Sequence, residues 1–126
     1  KIGLTPNKSL SINFPDIPPG YARHFIRGCW DGDGSIHISG RGLYNIRASY
    51  VSGSLNFIKG MLREFEKAGF PPLVIHKSKG KVPHYSFYYT GIKCEQLFRY
   101  LYDDVPPTLY LSRKYEIFFD YFGHTA

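Results

Sequence analysis

Hydrophobic residues near the start of the chain recur at a helical spacing. Tyr21, Phe25 and Cys29 are four residues apart, which predicts a helix over residues 20–30. The next four residues, 31–34, read Asp-Gly-Asp-Gly, and two glycines in so short a stretch predict that the helix stops there. We therefore predict that a first helix leads into an acidic, glycine-rich turn.

The pattern then changes to a period of two residues. Residues 35–39 and 44–51 each alternate polar with apolar side chains, and a glycine-containing turn at residues 40–42 separates them. This alternation predicts an antiparallel hairpin with one apolar and one polar face.

A second hairpin is predicted farther along the chain. Residues 73–79 and 82–90 have strand character and flank a Gly-Lys pair that suits a two-residue turn. By the two-residue period, Lys77 and Lys79 lie together on the polar face of this hairpin, and His76 points to the core side.

Apolar residues at intervals of three and four predict three further helices. The first covers residues 54–69 and ends before a Pro-Pro pair, the second includes residues 94–101, and the third begins with Ser112 as its N-cap. This order favours an α+β fold of the form αββαββα(α), a single domain over residues 20–126 in which helices cover one face of an antiparallel sheet. Residues 1–19, interrupted by prolines, are predicted to be an irregular segment or linker.

The chain is basic, and its charges are segregated. Its net charge is +6, with 16 Lys and Arg against 10 Asp and Glu. No acid occurs between Asp33 and Glu64 or between Glu66 and Glu95, whereas basic residues occur throughout both stretches. A surface of one sign repels itself, and a polyanionic partner is the usual compensation. With an open, polar sheet face, this favours DNA, because a two-stranded ribbon fits the major groove. A solvated basic surface is the alternative.

Other classes of protein are disfavoured by the composition. No apolar stretch approaches the roughly 20 residues of a membrane span, and no signal peptide is visible, so we expect an intracellular protein without a membrane partner. Cys29 and Cys94 make neither a disulfide framework nor a metal pair. They are expected to be buried, small apolar residues in a reducing compartment.

The turn at residues 31–34 carries the candidate chemistry. A carboxylate beside a backbone carbonyl is a hard-oxygen set that suits Mg²⁺, and glycine allows close approach of the backbone. Two such sites together can cut a phosphodiester by a two-metal scheme. An EF-hand is excluded, because Ile36 and Gly42 stand where that loop needs Gly and Glu. The tetrapeptide by itself is equally compatible with a simple helix-terminating turn.

Residues 25–36 read Phe-Ile-Arg-Gly-Cys-Trp-Asp-Gly-Asp-Gly-Ser-Ile. They resemble the LAGLIDADG motif of homing endonucleases, and the predicted element order over roughly residues 20–122 is also similar to that family's. The resemblance implies site-specific double-strand cleavage of DNA, with Mg²⁺ as cofactor (Mn²⁺ or Ca²⁺ as possible substitutes) and a link to intron or intein mobility. Two alternatives stand beside it: a maturase-like or transcription-factor-like relative that binds nucleic acid without cleaving it, and a plain basic interaction domain.

The resemblance also implies roles for individual residues. Asp33 would hold the metal with the Gly32 carbonyl, and Asp31 would hold the turn through hydrogen bonds. Lys114 is the candidate for a basic catalytic residue, with Arg113 in reserve; contact with phosphate or a solvated helix end is the alternative for both.

One motif supplies one half-site, so the resemblance implies a homodimer or one half of a two-motif protein. Residues 1–10 resemble the connection before a second motif, which favours a carboxy-terminal half. In the family, the motif helix packs against the motif helix of a second copy. The alternative for Gly28 is that it packs within its own domain. The interface implied here consists of Phe25, Gly28, Cys29 and Gly32.

The family reads DNA with its sheet face. A rough alignment puts Tyr50 where the family usually has a polar, water-organising residue, with Ser49, Ser52 and Ser54 near it, and this departure bears on cleavage rather than on binding. The implied DNA-binding residues are Ser35, His37, Ser39, Arg41, Asn45, Arg47 and Ser49 on the first hairpin and Lys77, Lys79, His84 and Ser86 on the second.

Overall fold

The computed structural model of the protein describes residues 12–18, 20–39, 45–106 and 112–122. Within these residues it contains four helices and a four-stranded antiparallel sheet of order β1-β2-β4-β3. The predicted order of elements and the α+β class are confirmed. In chain order the elements are α1 (Ala22–Asp33), β1 (Ser35–Ile38), β2 (Ile46–Ser52), α2 (Leu55–Lys67), β3 (His76–Lys77), β4 (Tyr85–Thr90), α3 (Ile92–Tyr102) and α4 (Ser112–Phe122).

Backbone contacts divide the chain into two compact units. Of the described residues, the first unit contains 12–17 and 50–87, and the second unit contains those within 18–49 and 88–126. The strands β2 and β4 contribute residues to both. The single domain over residues 20–126 stays a prediction.

In the first unit, α2 forms as its amphipathic pattern predicts. Ser54 is the N-cap, and its hydroxyl accepts a hydrogen bond from the Phe57 backbone N–H at 3.1 Å. The apolar stripe of the helix is buried, and Phe65 at its centre packs edge-on against Phe70 with ring centroids 5.0 Å apart. The helix ends two residues earlier than predicted, because Gly69 adopts a left-handed φ of 100° that turns the chain before the prolines.

The irregular segment before the first helix packs on α2. Residues 12–18 form no helix or strand, as predicted, whereas residues 1–11 and 19 lie outside the described part. The Ser54 hydroxyl donates a hydrogen bond to the Ile12 carbonyl. A Cβ at position 60 would lie 2.2 Å from the Cβ of Phe14, so Gly60 is required for the close approach of Phe14 to the helix.

The second hairpin pairs one residue out of the predicted register. A two-residue turn would pair Lys77 with His84, but the observed partners are Lys77 with Tyr85 and His76 with Ser86. Directly paired residues point to the same face, and a one-residue shift exchanges the two faces. The expected core-side orientation of His76 is therefore wrong, and it is exposed. The placement of Lys77 on the polar face is also wrong.

A longer connection causes this shift. The Ser78 N–H donates to the His84 carbonyl at 2.9 Å, and the His84 N–H donates to the Ser78 hydroxyl at 2.9 Å. These bonds close a loop around Gly80, whose φ of 131° favours glycine. A loop closed at Ser78 and His84 is wider than a two-residue turn, so the strands meet in a different register.

The second unit contains three of the four described helices. α1 packs on α3, and α3 packs on α4. Trp30, Leu97 and Phe118 are fully buried between them. Burial alternates along β2 as predicted, with Ile46 and Ala48 buried and Arg47 exposed.

The two cysteines have different environments. Neither forms a disulfide. Cys94 is buried, as predicted, and its thiol donates to the Tyr89 carbonyl at 3.1 Å, whereas Cys29 is only half-buried. Burial raises the pKa of the Cys94 thiol to about 11, partly opposed by a hydrogen bond to the Ala48 backbone. No described helix is both long and apolar enough to cross a membrane.

Candidate active site

The acidic turn belongs to the first helix. α1 stops within the Asp-Gly-Asp-Gly stretch, as predicted, but it continues through Asp33, three residues beyond the predicted end near Trp30. The helix stops at Gly34, whose N–H donates to the Trp30 carbonyl at 2.9 Å and whose extended backbone leads into β1. A Cβ at position 34 would lie 2.3 Å from Cδ1 of the buried Trp30. Glycine is thus required here by the indole ring against which the chain turns.

Lys114 caps the C-terminal end of this helix. Its Nζ, from α4, donates to the carbonyl of Trp30 at 3.2 Å and to that of Asp31 at 3.0 Å. The Trp30 carbonyl also accepts from the Gly34 N–H, whereas the Asp31 carbonyl lies in the last turn, where carbonyls have no partner within the helix. A cation beside this end also interacts favourably with the helix dipole. This external cap explains why the helix extends across Gly32. The alternative of a solvated helix end is wrong for Lys114, which is only 7% exposed.

The surroundings of Lys114 change its affinity for a proton. Burial lowers the pKa of its ammonium, and the neighbouring charge of Arg113 lowers it further. The carboxylates of Asp31 and Asp33 act in the opposite direction. Lys114 is thus electrostatically coupled to both acids of the turn, which brings together the two residues predicted to be catalytic.

The two acids differ in their environment. Asp31 is 4% exposed, and its Oδ1 accepts a hydrogen bond of 2.5 Å from the Tyr102 hydroxyl. The predicted hydrogen bonding of Asp31 is confirmed, and its role in holding the turn stays a prediction. Asp33 is exposed, and its carboxylate forms no hydrogen bond or ion pair with any described residue. Asp33 is therefore the acid that can bind a ligand.

Two residues that support the turn were not predicted from the sequence. Arg27 is buried and donates to the Leu101 carbonyl at 3.2 Å. Burial lowers the pKa of Arg27, as does Arg23, whereas Asp31, one helical turn away, raises it. The four-residue spacing of Arg27 and Asp31 was the available signal for Arg27. Tyr102 is 71 residues from Asp31, and no local pattern relates the two.

The donor set at the turn fits a hard divalent cation. Asp33 offers an exposed carboxylate. Gly32 is also exposed and directly follows Asp31, whose carbonyl accepts a hydrogen bond from Lys114. Mg²⁺ takes one or two carboxylates, keeps several waters and tolerates carbonyl oxygen. Within the described ranges no group of three or more His, Cys, Asp or Glu is placed to hold a metal ion. The turn itself thus offers one exposed carboxylate and the backbone carbonyl of an exposed glycine as hard-oxygen donors.

The predicted interface lies on α1. Gly28 and Gly32 are exposed, and a Cβ on either would meet nothing within 4 Å. Phe25 and Cys29 are half-buried. The alternative in which Gly28 packs within its own domain is therefore wrong for the described residues.

The first hairpin presents the predicted polar residues together. His37 pairs with Arg47 and Ser35 pairs with Ser49, so these four side chains share one face of β1 and β2. Arg41 lies outside the described residues. The guanidinium carbon of Arg47 lies 4.3 Å from the ring centroid of Tyr88, an aromatic residue absent from the predicted set. The exposed members of the set are Ser35, His37, Ser39, Asn45 and Arg47, and Ser49 is half-buried.

The residues of the first unit fit their predicted roles less well. Lys77, Lys79 and His84 are exposed, but the register places Lys77 on the face opposite Ser86. Tyr50 is buried and stacks on Phe57 and Phe87, with ring centroids 6.4 and 6.3 Å away. The Tyr50 ring is thus part of the core.

In comparisons with known proteins, no protein-family model, no curated protein and no solved structure matches the chain. The function has to be inferred from the residues themselves.

Proposed function

We propose that this chain is one half-site unit of a LAGLIDADG-type homing endonuclease, a Mg²⁺-dependent enzyme that cleaves both strands of DNA at a specific site. The observation that best supports this proposal is the junction of α1 and α4. There an exposed Asp33 follows a helix end that the buried Lys114 caps, while the neighbouring Asp31 is engaged with Tyr102. A simple helix-terminating turn has no need of a buried lysine or of a second, unengaged acid.

Each residue of the turn has a separate task in this proposal. Asp33 and the Gly32 carbonyl would hold Mg²⁺, which when bound activates water and stabilises the leaving oxygen of the phosphodiester. Tyr102 and Arg27 fix the end of α1 through Asp31 and the Leu101 carbonyl. Lys114 keeps the helix end in place and adds positive charge beside the position of a phosphate.

The net charge and the exposed glycines of α1 support the proposed partners. A net charge of +6 and the polar face of β1 and β2 favour double-stranded DNA. The acidic turn of one chain contributes one exposed carboxylate without a described partner, that of Asp33, and a double-strand break needs two sites. We infer that a second copy, or a second half of a longer protein, packs on the face of α1 that contains Phe25, Gly28, Cys29 and Gly32.

Tyr50 favours a second candidate function, sequence-specific binding of nucleic acid without cleavage. The family that the motif resembles usually has a polar, water-organising residue at the position of Tyr50. The buried Tyr50 ring, stacked on Phe57 and Phe87, cannot take that role. Asp33 favours cleavage, and Tyr50 favours binding alone.

Cleavage of a selected DNA site by Asp33→Asn and wild type tests the proposal. The preferred site is first selected from random duplexes, and cleavage is then measured with Mg²⁺. We expect Asp33→Asn to retain DNA affinity and lose more than about 100-fold in cleavage rate, since even outer-shell partners of a metal contribute 10- to 100-fold. Glu66→Gln, at an exposed acid on α2, is the matched control and should cleave as wild type does.

The outcomes separate the two candidate functions. Specific binding by wild type without cleavage would support the binding-only function. If Asp33→Asn cleaved as fast as wild type, the assignment of the acidic turn would be wrong.

A further inference from the structure

The second unit contains a polar cleft of about 290 Å³ on its sheet. Strands β1, β2 and β4 all contribute to it. The Ser39 N–H and hydroxyl both donate to the Asn45 carbonyl, at 2.8 and 3.3 Å, which closes the end of the hairpin beside the cleft. The side chains around the cleft are almost all hydrogen-bonding groups: His37, Ser39, Asn45, Ile46, Arg47 and Thr90.

The guanidinium of Arg47 in this cleft lies over an aromatic ring and is not paired with a carboxylate of any described residue. Its guanidinium carbon lies 4.3 Å from the centroid of the Tyr88 ring, and it forms no ion pair with any described residue. A carboxylate partner would occupy the N–H donors of the guanidinium. A ring beneath its flat face leaves those donors unengaged, because they point outward in the guanidinium plane. The two side chains come from β2 and β4, so folding brings them together.

We propose that Tyr88 is a positioning residue that orients Arg47 for bidentate recognition of one guanine in the DNA site. The inference deepens the proposed function and rests on it. A phosphate contact needs only a nearby positive charge, which a mobile side chain provides. Bidentate pairing with guanine O6 and N7 needs a guanidinium in one plane, and a ring that restrains it beforehand reduces the entropy lost on binding. The hydrogen-bonding cleft beside Arg47 suits the edge of a base.

The test measures base preference at a single position. Duplexes carrying the selected site are made with each of the four base pairs at the position that depends on Arg47, and Kd is measured for wild type and variants. We expect wild type to prefer guanine by roughly 5- to 150-fold, the range of a bidentate contact. Tyr88→Leu should reduce that ratio by about two- to fivefold, as expected from loss of an exposed cation–π contact. Tyr88→Phe, which keeps the ring, should retain it.

Controls separate positioning from a structural role. Tyr88→Leu should leave the affinity for random DNA and its salt dependence unchanged, because a residue that acts only by orienting Arg47 adds no phosphate contact of its own. Tyr88→Thr is a second ring-free variant that suits a strand, in case leucine is not tolerated. Arg47→Lys, which keeps the charge but not the fork, should also lose the guanine preference. Urea unfolding of each variant checks that the fold is retained.

Other outcomes overturn the inference. Equal weakening for all four bases by Tyr88→Leu would assign Tyr88 a structural role. Loss of the preference in Tyr88→Phe would assign the effect to the hydroxyl and not to the ring, which also overturns the inference. The guanine preference could also be lost in Arg47→Lys but retained in both Tyr88→Leu and Tyr88→Thr. That result would reject the positioning role of Tyr88 and would not contradict the proposed function. Absence of any DNA binding by wild type would reject the proposed function itself.

Discussion

Asp31 and Asp33 are two residues apart in α1, and their side chains have opposite environments. A buried carboxylate is tolerated only when it is hydrogen-bonded or paired, and Asp31 has the Tyr102 hydroxyl at 2.5 Å. Asp33 is exposed and needs no such partner. Asp31 is thus engaged within the fold, and Asp33 is the acid of the pair that is open to a ligand, in line with the different roles that the motif resemblance implied.

Cys94 gives a prediction of pH dependence at the residue scale. Burial raises the pKa of its thiol from an ordinary value of 9.0 to about 11. Folding therefore favours the protonated thiol, and the stability from this group is complete below pH 9.0 and is lost as the pH rises towards about 11. We expect the free energy of unfolding of wild type to fall more steeply over this range than that of Cys94→Ala.

Urea unfolding at a series of pH values measures this difference. Cys29→Ala is the matched control, because Cys29 is only half-buried, and it should keep the pH dependence of wild type. Identical slopes for wild type and Cys94→Ala would contradict the prediction.

At the scale of elements, α1 depends on a cap that comes from another helix. Lys114→Met keeps the length of the side chain but removes two hydrogen bonds to the carbonyls of Trp30 and Asp31. We expect the free energy of unfolding to fall by about 1–3 kcal/mol, the usual cost of leaving a buried acceptor unsatisfied. Urea unfolding measures the loss, and amide hydrogen exchange should rise in the last turn of α1.

The neighbouring residue provides the control for this prediction. Arg113 is exposed, so Arg113→Met should change stability by no more than about 0.5 kcal/mol. If Lys114→Met were as stable as Arg113→Met, Lys114 would not be the cap of α1.

The elements themselves were largely predictable. Apolar spacing identified every described helix and strand in the right order and the buried side of β2. The Ser54 cap of α2 was not predicted, and Ser112, which was predicted as an N-cap, is the first residue of α4. The register of the second hairpin could not be predicted, because it depends on how Ser78 and His84 close the loop. Hydrophobic alternation cannot choose between two registers when both strand ends are exposed.

At the scale of the whole molecule, association through α1 is the central expectation. A Cβ at Gly28 meets nothing within 4 Å, so Gly28→Leu should fold as a single chain and should not lose helix stability, since leucine favours helices more than glycine. In an assembly built on close contact of two α1 helices, the added side chain would keep them apart. We therefore expect Gly28→Leu to shift the protein towards monomer and to abolish double-strand cleavage.

Sedimentation with and without the DNA site measures this association. Glu66→Leu, which adds the same side chain at an exposed position of α2, is the control and should associate as wild type does. Unchanged association of Gly28→Leu would remove α1 from the interface.

The sequence by itself determined what depends on neighbouring residues: the helices and strands, the glycine-rich acidic turn and the segregation of basic charge. The candidate acids were visible in the motif, and the family resemblance implied different roles for them. Only the tertiary structure decided that α1 continues through Asp33, that Asp31 is buried and that Tyr88 lies under Arg47. The physical reason is distance along the chain, since the contacts of Asp31 reach residues 71 and 83 positions away, and no local pattern encodes such a pairing.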